Sequence, residues 1–344
     1  MASMQDLVKT ARELVAPEKG ILAADESSGT IKRRFDAIGV ESTEDNRRDY
    51  RELLFRTTGA NKFISGVILY DETIRQKGAD GTPLVKVLQD QGIIPGIKVD
   101  AGTKALAGAA GELVTEGLDG LRERLNEYRE MGARFAKWRA VITIGEGIPS
   151  HYCIEVNAQA LGRYAALCQE AGLVPIVEPE VLMDGSHSID ACHDATTRTL
   201  RSVYGQLALQ RVYLPGTLLK PNMVLSGKDA SNRAPAEEVA RRTVACFKET
   251  VPAAVPGIVF LSGGQSDEEA TVNLDAINRH AAGEKVPWEL SYSYGRGLQA
   301  APQKAWSGKK ENLDAAQKAF YHRAHMNSLA AQGKWRPELE KQAA

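Results

Sequence analysis

Charged side chains set inside apolar runs are the feature of this chain that hydrophobic burial cannot account for. Lys98 closes IIPGIK, Lys137 and Arg139 flank Trp138 in ARFAKWRAVI, Glu178 and Glu180 flank Pro179 in VPIVEPEVL, and Lys220 follows GTLL. Any one of these could lie just past a strand in a solvated loop. Four runs sharing the pattern by coincidence is a much weaker reading, because charged groups are almost never buried unpaired. If they converge, Lys98, Lys137, Arg139, Lys220 and Arg296 face Asp25, Glu178 and Glu180. Crowded cations and burial both disfavour protonation of each lysine. A neutral lysine is a nucleophile that attacks a carbonyl to form a Schiff base, and the iminium is an electron sink for making or breaking a C–C bond. Lys220 is the first choice on local grounds, because Pro221 stops a helix from running through it. Lys137 is the second, and sequence does not rank the two. Glu178 and Glu180 suit the proton transfers of iminium formation, and Asp25 could take a substrate hydroxyl proton.

Two glycine turns add an anion site. Ser262, Gly263 and Gly264 end one apolar run, and SYGRG, with Ser293 and Arg296, ends the next. Glycines let backbone approach a ligand, and the last two strands of a barrel often supply a phosphate site. Lys32-Arg33-Arg34 is a second basic cluster. It reads either as another phosphate contact or as a solvated helix face, the commoner case.

The elements that must position these groups follow from apolar runs alternating with amphipathic ones. Strands are predicted at 20–25, 62–71, 93–100, 133–142, 174–182, 216–224, 257–264 and 289–297. Helices are predicted at 43–56, 189–209, 236–250 and 311–332, with two more carrying Leu118, Leu121, Leu125 and Tyr128, and Val156 to Leu167. Ser266 and Glu269 read as a capping box after the Gly263–Gly264 turn. One polar residue near each strand end (Asp25, Asp71, Lys98, Lys137, Glu178, Lys220, Ser262, Arg296) recurs at intervals of about 40 residues. That interval holds one strand, one helix and two loops. An α/β fold follows, a (β/α)8 TIM barrel in a single domain over 1–344, with a short N-terminal helix and a short C-terminal tail. The rival doubly wound sheet often carries a glycine-rich first turn, and no G-x-G-x-x-G follows a strand here.

Composition narrows the function classes. With 43 Lys+Arg against 44 Asp+Glu the net charge is −1, so there is no global basic footprint for nucleic acid. No apolar run is long enough to span a membrane, and residues 1–15 resemble neither a secretory nor a transit segment, so the expected location is cytoplasmic. Cys153, Cys168, Cys192 and Cys246 lack paired spacing, which argues against a zinc cage or a disulfide framework. His187, Cys192 and His193, near Asp184 and Asp190, read as solvated loop residues rather than ligands, and His322 and His325 as surface groups.

The motifs ILAADES, GIKVD, FAKWR, IVEPE, LLKPNMV, FLSGGQS, SYGR, GKKEN and NSLAAQGK, in this order from about residue 20 to 335, resemble class I fructose-bisphosphate aldolase. The resemblance implies a (β/α)8 barrel that cleaves and forms fructose 1,6-bisphosphate through a Schiff base, with no metal and no organic cofactor, as a homotetramer. It implies Lys220 as the Schiff-base lysine, Glu178 as principal acid/base, Asp25 for the hydroxyl proton, and Glu180 and Lys137 in support. Lys98, Arg139 and Arg34 match substrate contacts, and Ser262, Gly263, Gly264, Ser293 and Arg296 match a phosphate site. The partner implied is a phosphorylated sugar, not nucleic acid or membrane. Two departures stand out: the sequence closes without the tyrosine that ends many members, and Ala101 replaces the usual lysine after GIKVD. The short termini suggest a bacterial member. The alternative function is a phosphosugar sensor or scaffold that keeps the pocket without turnover.

Overall fold

The expected barrel is borne out, and its interior shows why the charges cluster at one end. The computed structural model describes residues 3–341. The strands are β1 (Gly20–Ala24), β2 (Ile64–Leu69), β3 (Ile94–Lys98), β4 (Thr103–Ala105), β5 (Leu113–Thr115), β6 (Phe135–Ile142), β7 (Val174–Val181), β8 (Leu218–Leu219), β9 (Gly257–Phe260) and β10 (Glu289–Tyr294). Eight of them close in parallel, in the ring order β1, β2, β3, β6, β7, β8, β9, β10, with helices outside. The antiparallel pair β4–β5 is a hairpin in the loop after β3, too short and exposed to read as strands in the sequence.

Side chains alternate across a strand, so each strand sends every second residue into the barrel. Ile21, Ala23, Ile68, Phe135, Ile176, Leu218 and Val259 form one inner apolar cluster with Leu7, Ala11 and Leu14 of the helix Met4–Leu14. Their outward neighbours Leu22, Val67, Ala136, Trp138, Val177, Leu219, Ile258 and Phe260 join the larger core beneath the helices. Phe135 fills the barrel floor. A Cβ on Gly96 would sit 2.3 Å from its ring, and one on Gly66 would sit 2.6 Å from Leu14. One step further along the same inward register come Asp25, Lys137, Glu178 and Lys220.

Several boundaries differ from expectation for identifiable reasons. The run at 216–224 keeps strand pairing only at Leu218–Leu219, since Pro221 has no N–H to donate. Lys220 therefore lies one residue past its strand, although its N–H still donates to the Val177 carbonyl at 2.8 Å. The helix Asp267–Glu284 begins with Ser266 accepting from the Glu269 N–H at 3.0 Å, but the reciprocal half of the capping box is absent because the Glu269 carboxylate pairs with Arg233. Leu118 lies outside the helix Leu121–Glu130, which starts after a left-handed Gly120. His322 bonds to Glu340 at 3.0 Å and His325 stacks on Phe63, so neither is a bare surface group.

The packing of the barrel floor makes a stability prediction. Phe135→Ala should lower unfolding stability by about 3–5 kcal/mol in denaturant melts, since a floor braced by strands on all sides collapses poorly around a void. A loss under about 1 kcal/mol would mean that the floor does not depend on this ring.

Candidate active site

Register brings the inward charges into contact. Lys98 of β3 pairs across to Lys137 of β6, and Arg139 of β6 pairs across to Glu178 of β7. Lys137 Nζ lies 2.9 Å from Asp25 Oδ2, 3.1 Å from Glu178 Oε2 and 3.9 Å from Asp100 Oδ2. Lys220 Nζ lies 3.2 Å from the other Glu178 oxygen, Oε1. Lys220, Lys137 and Glu178 are 4%, 3% and 3% exposed, so these contacts act almost without solvent screening. Lys98 Nζ is 2.6 Å from Asp100 Oδ1, and the Arg139 guanidinium pairs with Glu180.

The electrostatics depart from the expectation that crowded cations would each resist protonation. Burial disfavours the Lys137 ammonium, but Asp25, Glu178 and Asp100 outweigh burial and hold the lysine charged, well above the ordinary lysine range. Burial likewise pushes the Asp25 carboxyl up, yet Lys137 and then Lys220 reverse this and hold it far below the usual carboxylate range. The interior is a balanced salt lattice rather than a cationic one. Lys137, tied to three carboxylates, is thereby set apart from Lys220, which touches one.

Above the lattice opens a cleft of about 1220 Å³ lined by every candidate residue: Asp25, Arg34, Lys98, Lys137, Arg139, Glu178, Glu180, Lys220, Ser262, Gly263, Gly264, Ser293 and Arg296. The two glycine turns meet on one wall. The Ser262 hydroxyl accepts from the Gly297 N–H at 3.2 Å, and Arg296 donates to the Gln265 carbonyl at 2.9 Å. Gly264 has φ +75°, and a Cβ there would lie 2.3 Å from Met183, so this turn requires glycine. Ser293 Oγ is buried at the cleft wall and makes no hydrogen bond to another protein group there. The basic cluster splits: Lys32 is exposed and pairs with Asp36 at 2.8 Å, whereas Arg33 and Arg34 line the cleft and Arg34 pairs with Glu26.

Asp71 does not join the site. It opens the helix Asp71–Arg75 and accepts from Tyr128 at 2.8 Å. Sequence reasoning missed Asp100 and Glu26. Asp100 lies two residues after Lys98 in GIKVD, a same-face spacing that could have flagged it. Ala101 stands on the cleft wall itself. Among the described residues no group of three or more His, Cys, Asp or Glu side chains could hold a metal ion. The four cysteines are buried free thiols, so Cys192 is a core residue rather than a solvated one.

Fold and site together define a closed (β/α)8 barrel with two buried lysines and their carboxylate partners at the base of one cleft. Comparison with known proteins places this barrel in a family. The class-I fructose-bisphosphate aldolase family model matches residues 6–344. A probable fructose-bisphosphate aldolase class 1 of Xanthomonas campestris pv. campestris is 59% identical over 335 residues, 97% of this chain and 99% of that protein. The cytosolic fructose-bisphosphate aldolase 4 of Arabidopsis thaliana is 55% identical over 97% of this chain and 85% of its own length. The fructose-bisphosphate aldolase of Plasmodium falciparum, solved with TRAP and a small-molecule inhibitor, matches with a TM-score of 0.94 at 50% identity, covering 96% of this chain and 95% of that one. The chain belongs to the class-I fructose-bisphosphate aldolase family, whose members are carbon–carbon lyases.

The lattice predicts a pH-dependent cost. Asp25 ionises below its ordinary pKa in the folded protein, so its contribution to stability is fully present above the unfolded value near 3.8 and fades only in stronger acid. Lys137→Met removes the compensating cation, raises the Asp25 pKa and should cost about 3–5 kcal/mol at pH 7. Part of that loss should return in melts at pH 5 as Asp25 takes up a proton. An equal loss at both pH values would show that the lattice does not set this ionisation.

Proposed function

We propose that this chain cleaves fructose 1,6-bisphosphate reversibly into dihydroxyacetone phosphate and glyceraldehyde 3-phosphate through a Schiff base on Lys220. One observation carries the assignment to Lys220. Of the two amines beside Glu178, Lys137 is committed to its charged form by three carboxylates, while Lys220 has a single carboxylate neighbour at 3.2 Å. Glu178 takes a proton from Lys220, the neutral Nζ adds to the C2 carbonyl, and Glu178 returns the proton to the carbinolamine hydroxyl, which leaves as water as the iminium forms. Asp25, kept ionised by Lys137, takes the C4 hydroxyl proton. The C3–C4 bond then breaks, its electron pair moves into the iminium to give an enamine, and the aldehyde leaves. Protonation at C3 and hydrolysis release dihydroxyacetone phosphate and restore the amine. Glu180 holds Arg139, and Arg139, Lys98 and Arg34 bind the substrate's oxygens. Ser262, Gly263, Gly264, Ser293 and Arg296 take one phosphate.

A cytoplasmic location accords with the word cytosolic in the Arabidopsis relative's name, and among the described residues no helix is long and apolar enough to cross a membrane. A homotetramer, the assembly implied by the resemblance, completes the reading. The contacts of Glu178 with Lys220 and of Lys137 with Asp25 support turnover over a sensor that has lost it.

Two assays test the proposal. With EDTA present, the wild type should cleave fructose 1,6-bisphosphate, and parallel rates on fructose 1-phosphate and sedoheptulose 1,7-bisphosphate define its preference. Glu178→Gln should lower kcat by about 10²–10⁴-fold, and Lys220→Met should leave no detectable cleavage. Retained turnover in Lys220→Met would refute the assignment, and undetectable wild-type cleavage despite tight binding would revive the sensor.

A further inference from the structure

Past the end of β1 the backbone loses its strand partners, yet Asp25 must be placed accurately to meet both Lys137 and a substrate. Pairing of β1 with β10 extends only to Leu22↔Tyr294, so the Ala23 carbonyl has no strand donor on that side. A buried carbonyl needs a donor from somewhere. Gln299 Nε2 donates to the Ala23 carbonyl at 2.7 Å and to Glu26 Oε1 at 2.7 Å. Arg51 Nη2 donates to the Glu26 carbonyl at 2.8 Å, and the same guanidinium lies 4.0 Å from Glu26 Oε2. The two carbonyls flanking Asp25 are thus held from outside the barrel by two side chains that are each 1% exposed.

Neither side chain has an evident packing reason to be polar. Arg51 sits in the helix Glu44–Phe55 beside Tyr50, Leu53 and Leu54, which are core residues. An apolar residue there would avoid the desolvation of a guanidinium, whose charge is met by Glu72 at 3.4 Å and by Glu26. Gln299 lies one turn into the helix Arg296–Trp306, and its own carbonyl accepts from Tyr50 at 3.3 Å. The two clamping helices are therefore bonded to each other as well as to the strand end.

We propose that Arg51 and Gln299 are positioning residues that clamp the backbone on both sides of Asp25 and so fix the carboxylate that takes the substrate hydroxyl proton. The inference rests on the reading of Asp25 given above. Neither residue lines the cleft, so both act through Asp25 and Glu26 and not on the substrate.

The test uses the full chain with Gln299→Met, Arg51→Met, Arg51→Lys and Asp25→Asn. It compares two reactions. Cleavage of fructose 1,6-bisphosphate requires Asp25, whereas borohydride trapping of dihydroxyacetone phosphate requires Lys220 and Glu178 but no proton transfer from a C4 hydroxyl. Gln299→Met and Arg51→Met should lower cleavage kcat by about 10–100-fold, with KM within about threefold and trapping within about twofold of wild type. Arg51→Lys should retain more cleavage than Arg51→Met, since it keeps the charge and N–H donors. Should Arg51→Met fail to fold, the neutral, similarly sized Gln299→Met substitution carries the test. Cleavage and trapping falling in proportion, or neither falling, overturns the clamp. Full cleavage by Asp25→Asn overturns the assignment of Asp25 and the clamp with it. Loss in Asp25→Asn with unchanged kcat in the clamp variants overturns the clamp alone.

Discussion

The ammonium of Lys137, held 2.9 Å from Asp25 and 3.1 Å from Glu178 inside a closed barrel, is the contact on which the rest of the site depends. Desolvating such charges separately costs several kcal/mol per ion, and only mutual contact offsets it. The three groups come from β6, β7 and the end of β1, so their contact exists only when the ring is closed. Closure and ionisation are therefore one condition. Glu178 makes an ion pair with Lys137 through one oxygen and with Lys220 through the other, while Asp25 and Asp100 lie against Lys137 alone, which leaves Lys220 as the amine with fewer carboxylate neighbours.

The apolar floor and the charged mouth are two levels of one register. Phe135 and Lys137 are two residues apart on β6, Ile176 and Glu178 on β7, and Leu218 and Lys220 at β8. A one-residue slip would send the charges into the helix layer and Trp138 into the barrel. The ring at Phe135 and the helix Met4–Leu14 lock the floor, and that in turn sets the height of the charges above it. The glycine turns after β9 and β10 add a wall of backbone and hydroxyls, with Arg296 as its cation, beside the salt lattice, a division suited to a ligand with a phosphate at one end and a carbonyl in the middle.

Much of this was legible because inward positions on a barrel leave a local trace, a charge in an apolar run. Lys98, Lys137, Glu178, Glu180 and Lys220 show that trace, and the cleft gathers them all. What pairs with what was not legible. Asp25 and Lys137 are 112 residues apart in sequence and meet only through the ring, so the protonation of Lys137 could be read only from its partners in space. Asp71 shows the same trace and goes elsewhere, captured by Tyr128 and the start of a short helix. Arg51 has the opposite disguise. In EDNRRDYRELLF it looks like one more solvated charge, yet it is buried, because its face of the helix turns toward the end of β1.

If the lattice sorts two neighbouring lysines, one kept charged as an electrostatic prop and the other left to react, only one of them should be trapped by a carbonyl substrate. Peptide mapping after borohydride reduction in the presence of dihydroxyacetone phosphate tests the claim most directly. The reduced three-carbon phosphate adduct should sit on the peptide carrying Lys220, with Lys137 unmodified. An adduct on Lys137, or none on either lysine in active protein, would contradict it.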